Sequence, residues 1–493
     1  MSSLQIIGKC PYCDDLQLFP PKSGTERRFA YEDVLSAASR GCASCTILRN
    51  GIRAYTGRDE FKGVWILNWK IQGGAVHRQT HPLEVMVQDM AGEWLSLAFY
   101  TDDARLTRRW PLIPTTPHIS SDSSSPVCLE QARVWLNHCV DQHADSCLSP
   151  SGALLPSRVI AVGNEAQNPF LYESFPGEIG VYATLSYCWG QTRTFTTVSS
   201  TISDRKQGFG PEELPQTCRD AVLVTRALGI RYVWIDSLCI IQDSKEDWER
   251  EAAKMCDVYS NSHITFAALD SKDSDTGLFV GRPGRETISL PIDLPDGEQT
   301  SLYIRRHYTL LRLSFFHADY DEDRPRATTS LKGVLETRAW TLQEITLSPR
   351  MLWFSSWELG FTCRKETACE CDPKPQIMYQ LMAPRGTFSL NLKPTQSQSP
   401  FCSSRQTDWH QTWQDFVEEY TKRNLSHQTD RLPAIAGLAK AIHSQIHGKY
   451  LAGMWDIDIE KHLLWANDWG QSMQPIARDY APSWSWASVP DRI

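Results

Sequence analysis

The sequence predicts an α/β protein whose core is a doubly wound parallel sheet. Three observations carry that prediction. Between Tyr182 and Leu269, apolar runs of strand length alternate with amphipathic helical stretches. The longest of those runs is apolar almost throughout, as a strand buried on both faces is. Helix-start and helix-stop residues punctuate the stretches between them. The order strand, helix, strand, helix, strand calls for right-handed crossovers.

The elements follow in order. Tyr182–Cys188 reads as a short strand ended by Trp189-Gly190. In the next stretch Cys218, Ala221, Val222, Thr225 and Leu228 share one helical face, with Pro215 suited to the first turn and Gly229 to the C-terminal stop. Tyr232–Ile241 reads as one buried strand. Ser244 can cap a second helix, with Asp247 completing an approximate capping box. Trp248, Ala252, Met255 and Tyr259 form its apolar stripe. His263–Ala268 is the third strand. Ligands in such sheets sit beyond the carboxyl ends of the strands. Those ends are Trp189-Gly190, Gln242-Asp243 and Leu269-Asp270. Asp236 interrupts an apolar run, so it must find hydrogen-bond donors, either orienting the Ser186–Trp189 loop or touching a ligand. Cys239, flanked by Leu238 and Ile240 with no histidine nearby in sequence, reads as a buried thiol.

A chain of 493 residues is long enough for two or three domains. With 41% hydrophobic and 22% charged residues it reads as a soluble globular protein. A net charge of −8 without a long basic run argues against a nucleic-acid binder. No apolar run approaches a membrane span, and the first residues lack a secretory core, so a cytoplasmic protein is expected. Its fifteen cysteines then read as thiols or metal ligands.

Residues 1–110 read as an N-terminal α+β module. Cys10-Pro-Tyr-Cys13 and Cys42-Ala-Ser-Cys45 can supply four thiolates to a structural zinc, although their separation exceeds ordinary zinc-ribbon spacing. The alternative is four cysteines packed without metal. Tyr31–Ala38 reads as a helix leading into Gly41. Val64–Trp69, Leu83–Val87 and Trp94–Phe99 alternate as antiparallel strands. Residues 111–126 read as a linker and 127–180 as a helical lead-in. There Cys139, His143 and Cys147 share one face of a helix over Leu129–Ala144, and Arg158–Val162 reads as a strand. A metal at that face needs a fourth ligand from elsewhere. Without one, it reads as a packed stripe with a hydrogen-bonded histidine. The α/β domain covers 181–345, where Glu336, Arg338 and Glu344 read as an internal ion pair or a ligand contact.

Residues 346–410 read as a variable segment, with a strand at Met351–Phe354 and a polar loop over 365–408 held by Cys363, Cys369 and Cys371. Residues 411–493 read as mainly helical. Trp413, Phe416, Val417 and Tyr420 form one stripe, Leu432–Ala439 a second helix, and Trp455, Leu463, Leu464 and Trp465 a third. Ala481–Ala487 is expected to dock on the fold. The sequence contains no GxSxG elbow, Walker loop, GxGxxG fingerprint or HExxH helix, which argues against common hydrolases, nucleoside triphosphatases and dehydrogenases.

The chain resembles fungal heterokaryon incompatibility (HET) domain proteins. The resemblance lies in YATLSYCWG (Tyr182–Gly190), LPQTCRDAVLVTRALGIRYVWIDSLCIIQD (Leu214–Asp243), DWEREAAKMCDVYSNSHITFAAL (Asp247–Leu269) and RAWTLQE (Arg338–Glu344). It extends to the C-terminal APSWSWAS (Ala481–Ser488). It implies non-self recognition and programmed cell death through self-association or an unidentified protein partner. Because members also occur beside biosynthetic genes, an accessory or tailoring role in secondary metabolism is the alternative. The family's distant relation to Toll/interleukin receptor (TIR) domains implies a flavodoxin-like sheet. Some TIR domains hydrolyse NAD with a glutamate in a Trp-Cys-x-x-Glu motif. The nearest match is Trp248-Glu-Arg-Glu251, one residue shorter and without the cysteine. The resemblance thus implies NAD as substrate and Glu251 as catalytic residue, and together with the strand-end positions it makes Ser186, Trp189, Gly190, Asp236, Gln242 and Trp248 the expected ligand contacts. A structural ion pair for Glu251 is the alternative.

Overall fold

The computed structural model of the chain describes residues 10–16, 26–67, 82–147, 152–164, 166–191, 195–282, 287–294, 297–307, 333–377, 409–457, 459–466 and 480–489. The N-terminal module opens with strand β1 (Glu26–Ala30), helices α1 (Tyr31–Ser39) and α2 (Ala43–Thr56), and strands β2 (Gly63–Leu67), β3 (Leu83–Gln88) and β4 (Trp94–Tyr100). The three predicted strands are therefore present and antiparallel; Trp69 lies outside the described residues. Val34, Leu48, Ile52, Val64, Val85 and Phe99 share their core. Gly51 lets α2 sit close to the sheet: a Cβ there would lie 2.4 Å from the Phe99 ring.

After α3 (Ala104–Arg109), segment 111–126 packs against both neighbours. Leu112 and Ile113 join the N-terminal core, and the Thr116 hydroxyl donates to Cys371 O at 2.8 Å. Helix α4 (Pro126–Gln142) follows, capped by Ser125. Next come β5 (Ala153–Leu154), β6 (Arg158–Ala161), β7 (Phe170–Glu173), β8 (Ile179–Gly180), β9 (Tyr182–Ser186), α5 (Ile202–Gln207), α6 (Gln216–Ala227), β10 (Tyr232–Trp234), α7 (Asp236–Cys239), α8 (Lys245–Ala252), α9 (Met255–Ser260) and β11 (Ile264–Ala268). The hairpin β12 (Ile288–Asp293) and β13 (Gln299–Arg306) then leaves this region and completes the N-terminal sheet, β13 pairing antiparallel with β4. Nothing in the sequence pattern foretold that return. The chain continues through α10 (Trp340–Leu347), β14 (Arg350–Phe354), β15 (Leu359–Cys363), β16 (Glu366–Cys369), β17 (Asp372–Ile377), α11 (Trp409–Thr421), α12 (Pro433–Ile446), β18 (Tyr450–Leu451), β19 (Met454–Trp455) and α13 (Ile459–His462).

The main sheet has nine strands in the order β17-β16-β15-β14-β11-β9-β10-β6-β7. Its centre, β14-β11-β9-β10, is parallel; both flanks are antiparallel. Every residue of β9, β11 and β14 is buried, as two-sided coverage requires. The class is α/β, with mixed rather than all-parallel pairing. In chain order the chain passes from β9 to β10 on one side, then crosses to β11 on the other. The reversal leaves the carboxyl ends of β9 and β11 at a switch point, the place where open α/β sheets bind their ligands.

Four expectations change. Tyr232–Ile241 is not one strand: β10 stops at Trp234 and Asp236 opens a helical turn. There the Asp236 carboxylate accepts the Ser237 N–H at 2.7 Å, and the Leu238 and Cys239 N–H groups bond Ile235 O. Leu238 and Cys239 in the turn are as buried as the strand, so apolar periodicity cannot separate the two. The helix predicted from Ser244 splits into α8 and α9 at Ala253-Lys254, though Met255 and Tyr259 still enter the core. The polar loop begins as the hairpin β16–β17, where alternating pairing overrides composition; residues 378–408 lie outside the described set. Trp455 belongs to a two-stranded hairpin, and Leu463 and Leu464 are exposed, so the third C-terminal helix shrinks to α13.

Other expectations hold. Ser244 caps α8 by accepting the Asp247 N–H at 3.2 Å, and Gly229 takes a φ of 72° beyond α6. Trp413, Phe416, Val417 and Tyr420 are buried on α11. The terminal segment docks through Trp486, whose indole N–H donates to Gly453 O at 2.9 Å. Among the described residues, no helix is long and apolar enough to cross a membrane.

Candidate functional site

The site forms where β9 ends against α7 and α10. Ser186, the last residue of β9, is fully buried and its hydroxyl donates to Glu344 Oε2 at 2.5 Å. The next turn folds over α7: Tyr187 OH donates to Ser237 Oγ at 2.8 Å, and the Trp189 indole N–H donates to Asp236 Oδ2 at 2.8 Å. Arg338 reaches in ahead of α10 and donates to Tyr187 O. Gly190 takes a φ of 76°, and a Cβ there would lie 2.5 Å from the Asp273 Cβ, so the strand-end turn needs glycine. Gln242 holds α7 from below, its amide donating to Asp236 O at 3.1 Å and Ile240 O at 3.0 Å.

Burial dominates the electrostatics. It pushes the Glu344 carboxyl up from 4.5 to about 7, against the Ser186 hydrogen bond and the Arg338 charge, which pull it down. The neighbouring Asp236 adds to the rise. Asp236 is raised by burial too, while Arg338 and the Trp189 N–H oppose the shift. Two carboxylates thus compete for one cation in a dry setting, and one of them exchanges its proton near neutrality. That is a chemistry for proton transfer or for holding a polar ligand.

Of the predicted contacts, the structure brings together Ser186, Trp189, Gly190, Asp236 and Gln242. Trp248 instead lies on α8, partly buried against the main core. Glu251 is 3% exposed and bonds Arg250 Nε and Lys254 Nζ, each at 3.2 Å. Lys254 also donates to Ser157 Oγ at 2.8 Å, which ties Glu251 toward the start of β6. The sequence signal for Glu344 and Arg338 was their charge inside an apolar stretch. Tyr259, whose hydroxyl donates to Leu185 O at 3.1 Å beside Glu344, gave no signal, because it reads as an ordinary core aromatic.

The N-terminal cysteines also converge. The ligand atoms of Cys10, Cys13, Cys42 and Cys45 all lie within 4.8 Å of one another. Cys10 and Cys45 are 3.8 Å apart and Cys13 and Cys42 3.5 Å, close to the roughly 3.8 Å between sulfurs on a tetrahedral zinc. Cys42 is the N-cap of α2 and accepts the Cys45 N–H at 3.4 Å. β1 and α1 lie within the long spacing between the two pairs.

This geometry defines an α/β protein with buried carboxylates and a guanidinium at the carboxyl ends of its parallel strands. Residues 182–344 match the family model described as heterokaryon incompatibility protein (HET), so the chain carries a heterokaryon incompatibility domain there. The match ends on Glu344. No curated protein and no solved structure matches the chain.

Proposed function

We propose that this heterokaryon-incompatibility-type protein is a cell-death or non-self-recognition effector whose strand-end crevice binds NAD and cleaves its glycosidic bond. The observation that carries the reading is Glu344, a buried carboxyl held near neutrality beside Arg338 and Asp236. The order of the parallel strands supports a flavodoxin-like core, and the distant likeness to TIR domains supports NAD as the ligand. In this reading Arg338 faces the phosphates and Trp189 offers an indole for stacking. Glu344 steadies the oxocarbenium-like transition state or moves the proton. Glu251, held between two cations, keeps a structural role. The four N-terminal cysteines hold a structural zinc.

The test is nicotinamide release from NAD by purified wild type, Glu344→Gln and Glu251→Gln. Wild type should turn NAD over, Glu344→Gln should be slower by about 100-fold or more, and Glu251→Gln should stay near wild type. The reverse ranking would move the catalytic role to Glu251. Silence from all three folded proteins would contradict cleavage and favour a non-catalytic interaction module. Leu154, Phe175 and Ile179 favour that second reading: they are 60%, 71% and 65% exposed, and Leu154 pairs directly with Ile179.

A further inference from the structure

We propose that Cys139, His143, Cys147 and Cys363 bind a second structural zinc ion, which fastens helix α4 to the main sheet. The ligand atoms of these four residues lie within 4.8 Å of one another. Three come from α4 and the turn after it, and the fourth from the end of β15, so the site joins segments 220 residues apart. His143 closes α4, and the turn that follows bonds back on it: the Cys147 N–H donates to His143 O at 2.8 Å. This carries Cys147 round to the same point as Cys139.

The surroundings match a metal centre in three further respects. First, His143 Nδ1 lies 3.5 Å from Cys363 Sγ, and a tetrahedral zinc separates a sulfur and a nitrogen ligand by about 3.5 Å. Second, the other ring nitrogen, Nε2, faces Glu366 Oε1 at 3.6 Å, and Glu366 is steadied by His138 Nε2 at 3.1 Å. A carboxylate behind the imidazole fixes the ring and its tautomer, as in many zinc sites. Third, the thiolates have donors aimed at them. The Lys365 and Glu366 N–H groups donate to Cys363 Sγ at 3.4 Å and 3.3 Å, and Arg350 Nε donates to Cys139 Sγ at 3.1 Å.

The charges also balance. Three thiolates, a neutral imidazole and Zn²⁺ leave one negative charge and Glu366 adds a second, and the Arg350 and Arg364 guanidiniums beside the cluster offset the two. The Arg350 guanidinium also donates to His263 O at 3.0 Å, which holds it over the cluster. Three thiolates and an imidazole fill all four positions of a tetrahedral zinc, so the ion is structural rather than catalytic. Binding at such a site stabilises the docked state of α4, because the separated segments do not present the ligands together.

The full-length chain, purified without chelator, should contain two zinc ions by elemental analysis. Cys363→Ser should lose one. The double variant Cys10→Ser/Cys13→Ser should lose the other and keep one. X-ray absorption on that double variant should then show three sulfur neighbours and one nitrogen, which keeps the proposal testable if Cys363→Ser fails to fold. Zinc content near zero in the double variant, or a four-sulfur environment for its metal, would overturn the second site whatever the fate of the first.

Discussion

Arg158→Met should destabilise the α/β core by about 3–5 kcal/mol, the range for removing one partner of a buried ion pair. Arg158 lies at the start of β6 and Asp247 in the first turn of α8; their side chains are 6% and 3% exposed. The guanidinium bonds Asp247 Oδ2 at 2.5 Å and Cys239 O at 2.7 Å. Asp247 Oδ2 also accepts the Ile241 N–H at 2.8 Å, so one buried pair joins β6, α7 and α8. Removing the guanidinium strands a carboxylate and a carbonyl together. Arg250 still reaches Asp247 from the surface, which favours the lower end of the range. Adding Asp247→Asn should restore part of the loss, since the stranded charge is then gone. Urea unfolding of the two variants checks this; a loss under about 1 kcal/mol for Arg158→Met would contradict the assignment.

The second large effect is a pH dependence. Glu344 is raised from 4.5 to about 7 by burial. Below 4.5 it is protonated folded or unfolded, and the site carries no penalty. As pH rises through the window from 4.5 to 7, the unfolded chain releases this proton first and stability falls. Above 7 the penalty is constant, on the order of 3 kcal/mol. Glu344→Gln removes the ionisation, so its stability relative to wild type should grow by about 2–3 kcal/mol between pH 5 and pH 8. A difference that does not change with pH would mean that the carboxyl is not held protonated by its surroundings. A carboxyl that weakens the fold at neutral pH, beside an arginine at a strand-end switch point, is the pattern of a functional group.

The fold was legible where the local pattern was unambiguous. The caps at Ser244 and Gly229, the stripe on α11 and the strands β9, β11 and β14 could all be read from spacing. The break after Trp234 could not, because Leu238 and Cys239 carry the apolar run on through the turn and are as buried as the strand. The return of β12 and β13 to the N-terminal sheet was also hidden, since pairing between distant strands leaves no mark in local periodicity. The site was half legible. Ser186, Trp189, Gly190 and Asp236 follow from the rule that ligands gather at strand ends. Glu344 and Arg338 lie about 150 residues further on, and only the folded chain brings them to Ser186 and Tyr187. Cys363 was hidden in the same way: α4 and the turn after it show three ligands, and the fourth arrives from another part of the chain.

Calorimetric titration of the purified chain with NAD shows whether the strand-end cluster is a ligand site. Wild type, Trp189→Ala and Arg338→Lys should be compared, each confirmed as folded by circular dichroism. Wild type should bind at one site per chain, and each variant should bind at least tenfold more weakly, a loss of about 1.4 kcal/mol or more. No binding to the folded wild type, or equal affinity in all three proteins, would contradict it.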